Sequence, residues 1–224
     1  MPTHDPSTNR NRVMVMIPFL LVHEMLLNMV SKGGNRLGQL AELLPDSPLF
    51  NLRKAFCMKN HLGWMKTIAI GFHGDGVPHS KKGSAQVFSW NVLGKSLAER
   101  FLFTCIAKEF CCKCGCHGRC TLDAIITIFV WSMRCLCVGA NPTCRHDNTP
   151  FNATDKARAK RARDQPIIPF RGLLLECRGD WSWYKELFGF PSWSNESICW
   201  RCKANKSTLP FTDFSKKSAW RKIV

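Results

Sequence analysis

The sequence has few acidic residues for its size. Against 32 Lys and Arg it has only 16 Asp and Glu, so its formal net charge is +16. Such an excess repels cations and concentrates polyanions around the chain, which makes nucleic acid the leading candidate partner. An anionic membrane surface is the competing partner, but no long basic amphipathic helix with an aromatic face occurs. The charge pattern therefore favours nucleic acid and predicts no membrane partner.

The sequence also lacks a convincing targeting or membrane-spanning segment. Arg10 and Arg12 precede an apolar run from Val13 to Val22, but no small-x-small cleavage site follows this run. The run is too short to cross a bilayer. The pattern predicts instead a buried helix near residues 18–31, with Pro18 in its first turn.

Internal repeats and long low-complexity tracts are absent as well. The apolar content of 45% is too high for a disordered chain, and 224 residues suffice for one core with an appended module. Only residues 1–12, which are polar, are expected to form a disordered tail. The remaining domain boundaries follow from the residue patterns. They predict an N-terminal helical lobe over 13–62 (with a second helix near 36–44), a core over 63–190, and a C-terminal module over 191–224.

The core segment alternates strand and helix patterns. Three short apolar or β-branched runs predict strands, at 66–71, 86–93 and 170–177. Helices are expected from Thr121, as the N-cap, to Gly139, and over the aromatic segment 181–188, whose aromatic residues we expect to be core. The stretch 72–78 reads as turn-rich, and 96–110 fits either a helix or a strand. This order of elements predicts an α/β domain.

Thirteen cysteines indicate metal ligands more than disulfides. Their number is odd, and their spacing is tight around 111–120. Cys111 or Cys112, together with Cys114, Cys116 and Cys120, could form a closed structural Zn²⁺ site, with His117 as a spare ligand. Two glycines in this segment would let the backbone fold tightly around an ion.

A second cysteine pair, Cys199 and Cys202, has the spacing of half a zinc site. No Cys or His follows it, so its missing ligands would come from the earlier cluster or from further along the protein. The alternative interpretation is two buried thiols.

Two acidic residues, Asp75 and Asp180, each follow a predicted strand. Carboxylates at strand ends of an α/β sheet can hold one or two Mg²⁺ ions that activate water or a hydroxyl group. The structural alternatives are that Asp75-Gly76 is a turn dipeptide and that Asp180 caps the aromatic helix.

A basic segment lies within the polar connector 140–169. It places Lys156, Arg158, Lys160, Arg161 and Arg163 in eight residues without an acid. Such a segment can contact nucleic-acid phosphates or act as a nuclear import signal, which predicts a nuclear location. The alternative interpretation is a solvated connector.

The order of four motifs resembles a known group of proteins. These motifs are Phe72-His-Gly-Asp-Gly-Val-Pro78, Cys112-x-Cys-Gly-Cys-x-Gly-Arg-Cys-Thr121, Arg178-Gly-Asp-Trp181 and Cys199-Trp-Arg-Cys202. They are similar to those of transposase-like proteins abundant in dinoflagellate-type genomes, which in turn resemble DDE/D transposases with a ribonuclease-H-like fold. The resemblance runs from about Ile17 to the C-terminus.

The resemblance implies a mixed sheet flanked by helices, with the cysteine-rich segment as a zinc-braced insertion. Asp75 would match the first catalytic acid, on or just after the first strand, and Asp180 the second, after the fourth strand. Cys199 and Cys202 would match an inserted zinc-binding pair. The implied reaction is Mg²⁺-dependent DNA strand cleavage and transfer, with DNA as partner and a homo-oligomer on DNA as an assembly.

This sequence departs from that pattern at the third acid, which should follow on a late helix. The nearest downstream acids are Glu186, Glu196 and Asp213, and none has that placement. We therefore expect a partial or degenerate copy, which is inactive as this chain alone. The alternative function is a non-catalytic, zinc-stabilised nucleic-acid-binding protein.

Overall fold

The computed structural model divides the chain into two compact units, Met1–Arg178 and Gly179–Val224. It describes residues 1–8, 10–31, 47–78, 83–94, 99–192, 194–197, 199, 201–209, 212, 215 and 217–221. The helix expected near residues 36–44 lies outside the described residues.

The N-terminus forms a β-hairpin, so the prediction of a disordered tail over residues 1–12 is wrong. Strand β1 (Pro2–Asp5) pairs antiparallel with β2 (Arg10–Met14). The Asp5 carboxylate accepts hydrogen bonds from the backbone and hydroxyl of Ser7 and thereby shapes the turn. Thr3 is 2% exposed and forms a bridge to Cys111, so tertiary packing orders a segment whose polarity suggested disorder.

A four-stranded mixed sheet forms the centre of the first unit. Its strands are β3 (Thr67–Pro78), β4 (Ser84–Val92), β5 (Phe101–Ala107) and β6 (Arg171–Arg178), in the spatial order β5-β4-β3-β6. The β3–β4 and β4–β5 pairs are antiparallel, whereas β6 runs parallel to β3. The predicted α/β class and the three predicted strands are confirmed, and the ambiguous stretch 96–110 contains a strand and a short 3-10 turn.

Strand β3 is longer than predicted. The stretch 72–78, expected to be turn-rich, continues the strand and pairs with β4 as far as Pro78 opposite Ser84. The turn propensity of Asp75-Gly76 is overridden because the chain has a pairing partner along this whole length. Residues 67–74 of β3 are buried, as expected for a strand with a neighbour on each side.

The helices of the first unit accompany the sheet and the N-terminal hairpin. They are α1 (Val22–Ser31), α2 (Pro48–Lys59), α3 (Arg119–Val138) and α4 (Lys156–Asp164), and the second unit contributes α5 (Trp181–Phe188). Helix α1 begins four residues later than predicted. Residues 18–20 instead run along the edge strand β5, where Leu20 donates a backbone hydrogen bond to Phe103 at 2.9 Å.

Helix α3 packs on the sheet through aromatic and aliphatic side chains. The Phe129 ring lies 4.0 Å from the Phe72 ring and 5.4 Å from the Phe103 ring, centroid to centroid. Ile125 and Leu136 on the same helix are fully buried. The length and hydropathy of α3 would suffice to cross a membrane, but these contacts make it the core helix of this unit.

A buried polar contact attaches α1 to α3. His23 is 1% exposed, and its Nδ1 atom lies 2.8 Å from the hydroxyl oxygen of Ser132. The same oxygen accepts the backbone N–H of His23 at 3.2 Å. Burial lowers the pKa of His23 to about 4, so the ring is neutral at pH 7.

The close approach of α3 to β6 depends on Gly172 and can be tested there. A Cβ at this position would lie 2.9 Å from Leu136 Cβ and 3.0 Å from Ile70 Cδ1. We expect Gly172→Ala to lower the free energy of unfolding by about 1–3 kcal/mol in urea denaturation, because the added methyl overpacks the core.

Gly63→Ala is the matched control. Residue 63 has a φ of −69°, and a Cβ added there would meet no heavy atom within 4 Å beyond its chain neighbours. This variant should therefore be neutral or slightly stabilised. Equal losses in the two variants would contradict the role of close packing at Gly172.

Candidate metal centre

Four cysteines of the predicted cluster come together at the start of α3. Cys112, Cys114 and Cys116 lie on the loop before the helix, and Cys120 lies in its first turn. Their sulfur atoms all lie within 4.8 Å of one another, and the Sγ atoms of Cys114 and Cys120 are 3.7 Å apart. Tetrahedral Zn²⁺ with bonds of ~2.3 Å requires sulfur separations of about 3.8 Å. This compact group could therefore hold a metal such as zinc.

Left-handed backbone conformations bring the thiols together. Gly115 has a φ of 93° and Gly118 a φ of 85°. Residues other than glycine rarely adopt these values, because their Cβ atom clashes with the backbone. His117 between them also has a positive φ, of 52°. The Gly118 N–H donates to the Cys112 carbonyl and the Arg119 N–H to the Cys116 carbonyl, both at 3.0 Å. The two glycines therefore allow the tight backbone turns that the sequence predicted for this segment.

The structure selects among the ligands that the sequence left open. Cys112 belongs to the group of four and is 1% exposed, whereas Cys111 is not a member and bridges to Thr3 of the hairpin. His117 is not a member either. The site is thus a four-cysteine group, which matches the closed tetrahedral sites that zinc occupies in a structural role.

Hydrogen bonds within the group distribute the thiol protons unevenly. Burial raises the pKa of Cys116, but hydrogen bonds from the backbone and thiol of Cys120 and from two other thiols outweigh burial and hold the pKa at about 6. Hydrogen bonds to Cys116 and Cys114 raise the pKa of Cys120 to about 12. The hydrogen bonds to the sulfur of Cys116 favour its thiolate form. A divalent cation would replace the thiol protons and be bound by four thiolates.

Thr121 links the cysteine loop to the hairpin, and the prediction that it caps α3 is wrong. Gly118 is the N-cap residue, and Thr121 lies fully buried inside the helix. Its hydroxyl accepts the Cys112 N–H at 2.9 Å and donates to the Pro2 carbonyl. The Lys113 N–H and the Cys112 thiol donate to the Asn11 carbonyl at 3.1 and 3.5 Å. Sequence patterns carried no signal for these contacts to the hairpin, because their partners are about one hundred residues apart.

The second cysteine pair lies in the second unit. The Cys199 sulfur accepts hydrogen bonds from the Arg201 N–H at 3.4 Å and from the Cys202 thiol. Among the described residues, no third His, Cys, Asp or Glu joins them to form a metal-binding group. Metal binding by Cys199 and Cys202 therefore stays a prediction.

The two acids of the sequence prediction lie in different units. Asp75 is exposed and lies within β3, opposite Val87, so the expectation that it follows the end of the strand is wrong. Asp180 caps α5 as expected, because its Oδ1 atom accepts the Trp183 N–H at 2.6 Å. Asp75 belongs to Met1–Arg178 and Asp180 to Gly179–Val224. Their sharing of a metal stays a prediction.

The basic segment forms helix α4, and its five cations have different surroundings. Arg158 and Arg161 make ion pairs with Glu24 of α1, at 2.8 and 3.6 Å. Lys156 and Lys160 are exposed and make no ion pair within the described part of the chain, while Arg163 pairs with its neighbour Asp164. Sequence reasoning missed Glu24, since nothing near the basic segment points to it.

The aromatic residues of α5 are only partly core. Trp183 and Leu187 are buried, at 2% and 4% exposed. Trp181 and Phe188 are each 41% exposed, so the helix has one buried and one accessible side. The expectation of a core helix is thus confirmed for the buried side alone.

Comparison with known proteins gives no match: no family model, curated protein or solved structure is significantly similar to the chain.

Metal binding at the four-cysteine group can be measured with Co²⁺ as a spectroscopic substitute for zinc. We expect the reduced protein to show intense thiolate-to-cobalt absorption that Zn²⁺ abolishes, because zinc binds thiolate ligands more tightly than cobalt does. Cys120→Ser should remove most of this absorption.

Cys105→Ser and Cys199→Ser provide the controls. Cys105 is an exposed thiol on β5 outside the group, and Cys199 belongs to the separate pair. Both variants should keep the full cobalt signal. A full signal in Cys120→Ser, or its loss in Cys199→Ser, would contradict the assignment of the metal to this group.

Proposed function

We propose that this chain is a DNA-binding protein of transposase ancestry, whose ancestral reaction was Mg²⁺-dependent cleavage and transfer of DNA strands. The order and the direction of the sheet strands support this proposal. Strand β3 is the first of its strands in chain order and β6 the fourth, and these two are parallel neighbours. Asp75 lies on the first strand, and Asp180 follows the fourth by two residues. These are the positions in the chain that the resemblance to DDE/D transposases assigns to the first two catalytic acids.

The antiparallel arrangement of the first three strands, followed by α3 and then by β6, supports a ribonuclease-H-like fold. In this arrangement α3 is the crossover that returns the chain to run parallel with its first strand, as a parallel pair requires. The fold would provide the scaffold, and the excess of basic residues would bind DNA. We expect this binding to take place in the nucleus, with the protein assembled as a homo-oligomer on DNA.

Zinc would act as a structural ion in this protein. The donor set is four thiolates in a loop with tight turns, which suits Zn²⁺ better than harder cations. Bound there, zinc would fasten the N-terminal hairpin and the start of α3 to one loop. The role is therefore to hold the fold, and no catalytic step passes through this ion.

The resemblance implies Mg²⁺ as the catalytic ion, and each of the two acids, taken by itself, has ligand chemistry that suits it. Asp75 is exposed to solvent, and the Oδ2 atom of Asp180 has no hydrogen-bond partner among the described residues. Carboxylate oxygens are suitable Mg²⁺ ligands, and the ion would polarise a phosphate and activate the attacking oxygen. Within the described residues we assign no third acid: Glu196 already accepts the Ser207 N–H at 2.7 Å, and Asp213 lies outside these residues. We therefore propose DNA binding for this chain and assign cleavage to its ancestor.

One observation favours the alternative of a non-catalytic, zinc-stabilised nucleic-acid-binding protein. Asp180 has a complete structural role as the N-cap of α5. An N-cap contributes about 1 kcal/mol to helix stability, which is reason enough for an acid at this position.

Asp180→Asn separates the two functions, because Asn caps a helix as well as Asp does but lacks the carboxylate charge. We expect the reduced, zinc-loaded protein and this variant to shift duplex DNA equally in a gel at low salt. A weak Mg²⁺-dependent nicking activity, if the chain retains one, should be lost in Asp180→Asn and in Asp75→Asn.

The outcomes distinguish the proposals. Nicking that is lost in both variants supports the transposase ancestry. Binding without nicking in any form is the result expected of a non-catalytic protein, whether or not it descends from a transposase. Nicking that persists in Asp180→Asn contradicts the ancestral site, and failure of the wild-type protein to bind duplex DNA contradicts the proposed DNA-binding function.

A further inference from the structure

Helix α4 distributes its charges on two opposite sides. Successive residues of an α-helix are rotated by about 100°, so residues at i, i+4 and i+7 share one side. Lys156, Lys160 and Arg163 have this spacing, and we call them the outer stripe. Arg158 and Arg161 fall on the other side, and we call them the inner pair.

The inner pair attaches the helix to the rest of the unit. Arg158 contacts Glu24 through Nε at 2.8 Å and Asp155 through Nη1 at 3.2 Å. Hydrogen bonds to Glu24 raise the pKa of Arg158, so this pairing stabilises the charged guanidinium. Asp155 is 4% exposed and is also bound by Arg145 at 2.6 Å. The charge of the inner pair is thus largely compensated within the protein.

The outer stripe is not compensated in this way. Lys156 and Lys160 are exposed and have no ion-pair partner in the described ranges. Arg163 has a side chain that is 76% exposed, and its contact with Asp164 at 2.9 Å is a surface ion pair between adjacent residues, which holds weakly. Ala159 lies between the cations and is exposed, so no bulky side chain shields them.

The dimensions of the outer stripe suit a polyanion. From residue 156 to residue 163 the helix rises by about 10 Å. A DNA strand advances about 3.4 Å along the axis for each phosphate, so this distance corresponds to about three phosphates. A membrane surface fits less well, because α4 has alanines between its charges and no apolar side to insert.

We propose that the outer stripe of α4 contacts the phosphate backbone of duplex DNA, while the inner pair positions the helix without touching DNA. This inference rests on the proposed function and divides the five basic residues that the sequence grouped together. It assigns a sequence-independent contact, because phosphates carry no base identity.

Two charge-matched double variants test the division. Each phosphate contact contributes about 0.9 to the slope of log K against log salt concentration. Lys156→Gln/Lys160→Gln should therefore lower the magnitude of this slope by about 1.8 in fluorescence anisotropy titrations with a labelled duplex, with an unchanged unfolding midpoint. Arg158→Gln/Arg161→Gln removes the same charge, but it should lower the unfolding midpoint and leave the slope unchanged in the folded protein.

Lys59→Gln/Lys66→Gln keeps the test decisive if the inner-pair variant does not fold. Both lysines are exposed and lie outside α4, so this variant should bind DNA with the wild-type slope. Equal reductions in the slope for Lys59→Gln/Lys66→Gln and Lys156→Gln/Lys160→Gln would show an effect of net charge and overturn the proposal.

The remaining outcomes separate this inference from the proposed function. If the wild-type protein binds duplex DNA and Lys156→Gln/Lys160→Gln binds with the same slope, the outer stripe is wrong and DNA binding stands. If the wild-type protein does not bind duplex DNA even at low salt, the proposed function and the outer stripe both fail.

Discussion

The packing of α3 on the sheet is the contact on which the first unit depends. The helix presents Phe129 to the aromatic side chains of the sheet, and Gly172 lets it approach β6 closely. Its first turn contributes Cys120 to the metal-binding group, and Ser132 near its middle holds His23 of α1. A shift of α3 would therefore disturb the hairpin, the cysteine group and α1 together. Apolar burial provides the main stabilisation, and a bound zinc ion would fix the start of the helix.

A small number of acidic side chains also determines which basic side chains are paired and which are left exposed. Glu24 pairs with two arginines of α4, and Asp155 pairs with one arginine of α4 and one of the connector before it. Asp180 has a third structural role as a helix cap. Because these acids are committed to internal contacts, they do not offset the exposed cations on the far side of α4. The same few carboxylates thus hold the fold and leave a basic surface toward solvent.

Local patterns predicted those parts of the fold that depend on neighbouring residues. The β-branched run at Thr67, the cap at Asp180 and the tight spacing of the cysteines each have their cause within a few positions. The hairpin, the role of Thr121 and the two sides of α4 could not be predicted. Thr121 meets Pro2 across 119 residues and Arg158 meets Glu24 across 134. Strand β3 extends past a turn-forming dipeptide for the same reason, since β4 supplies a partner that local propensity does not reveal.

We propose that this chain binds DNA through a basic surface of the folded first unit. Hydrogen–deuterium exchange of the reduced, zinc-loaded protein, with and without duplex DNA at low salt, tests it most directly. We predict slower exchange in α4 when DNA is present and unchanged exchange in α2, whose Arg53 is buried and donates to the Thr67 carbonyl. Identical exchange along the whole chain with and without DNA would contradict the claim.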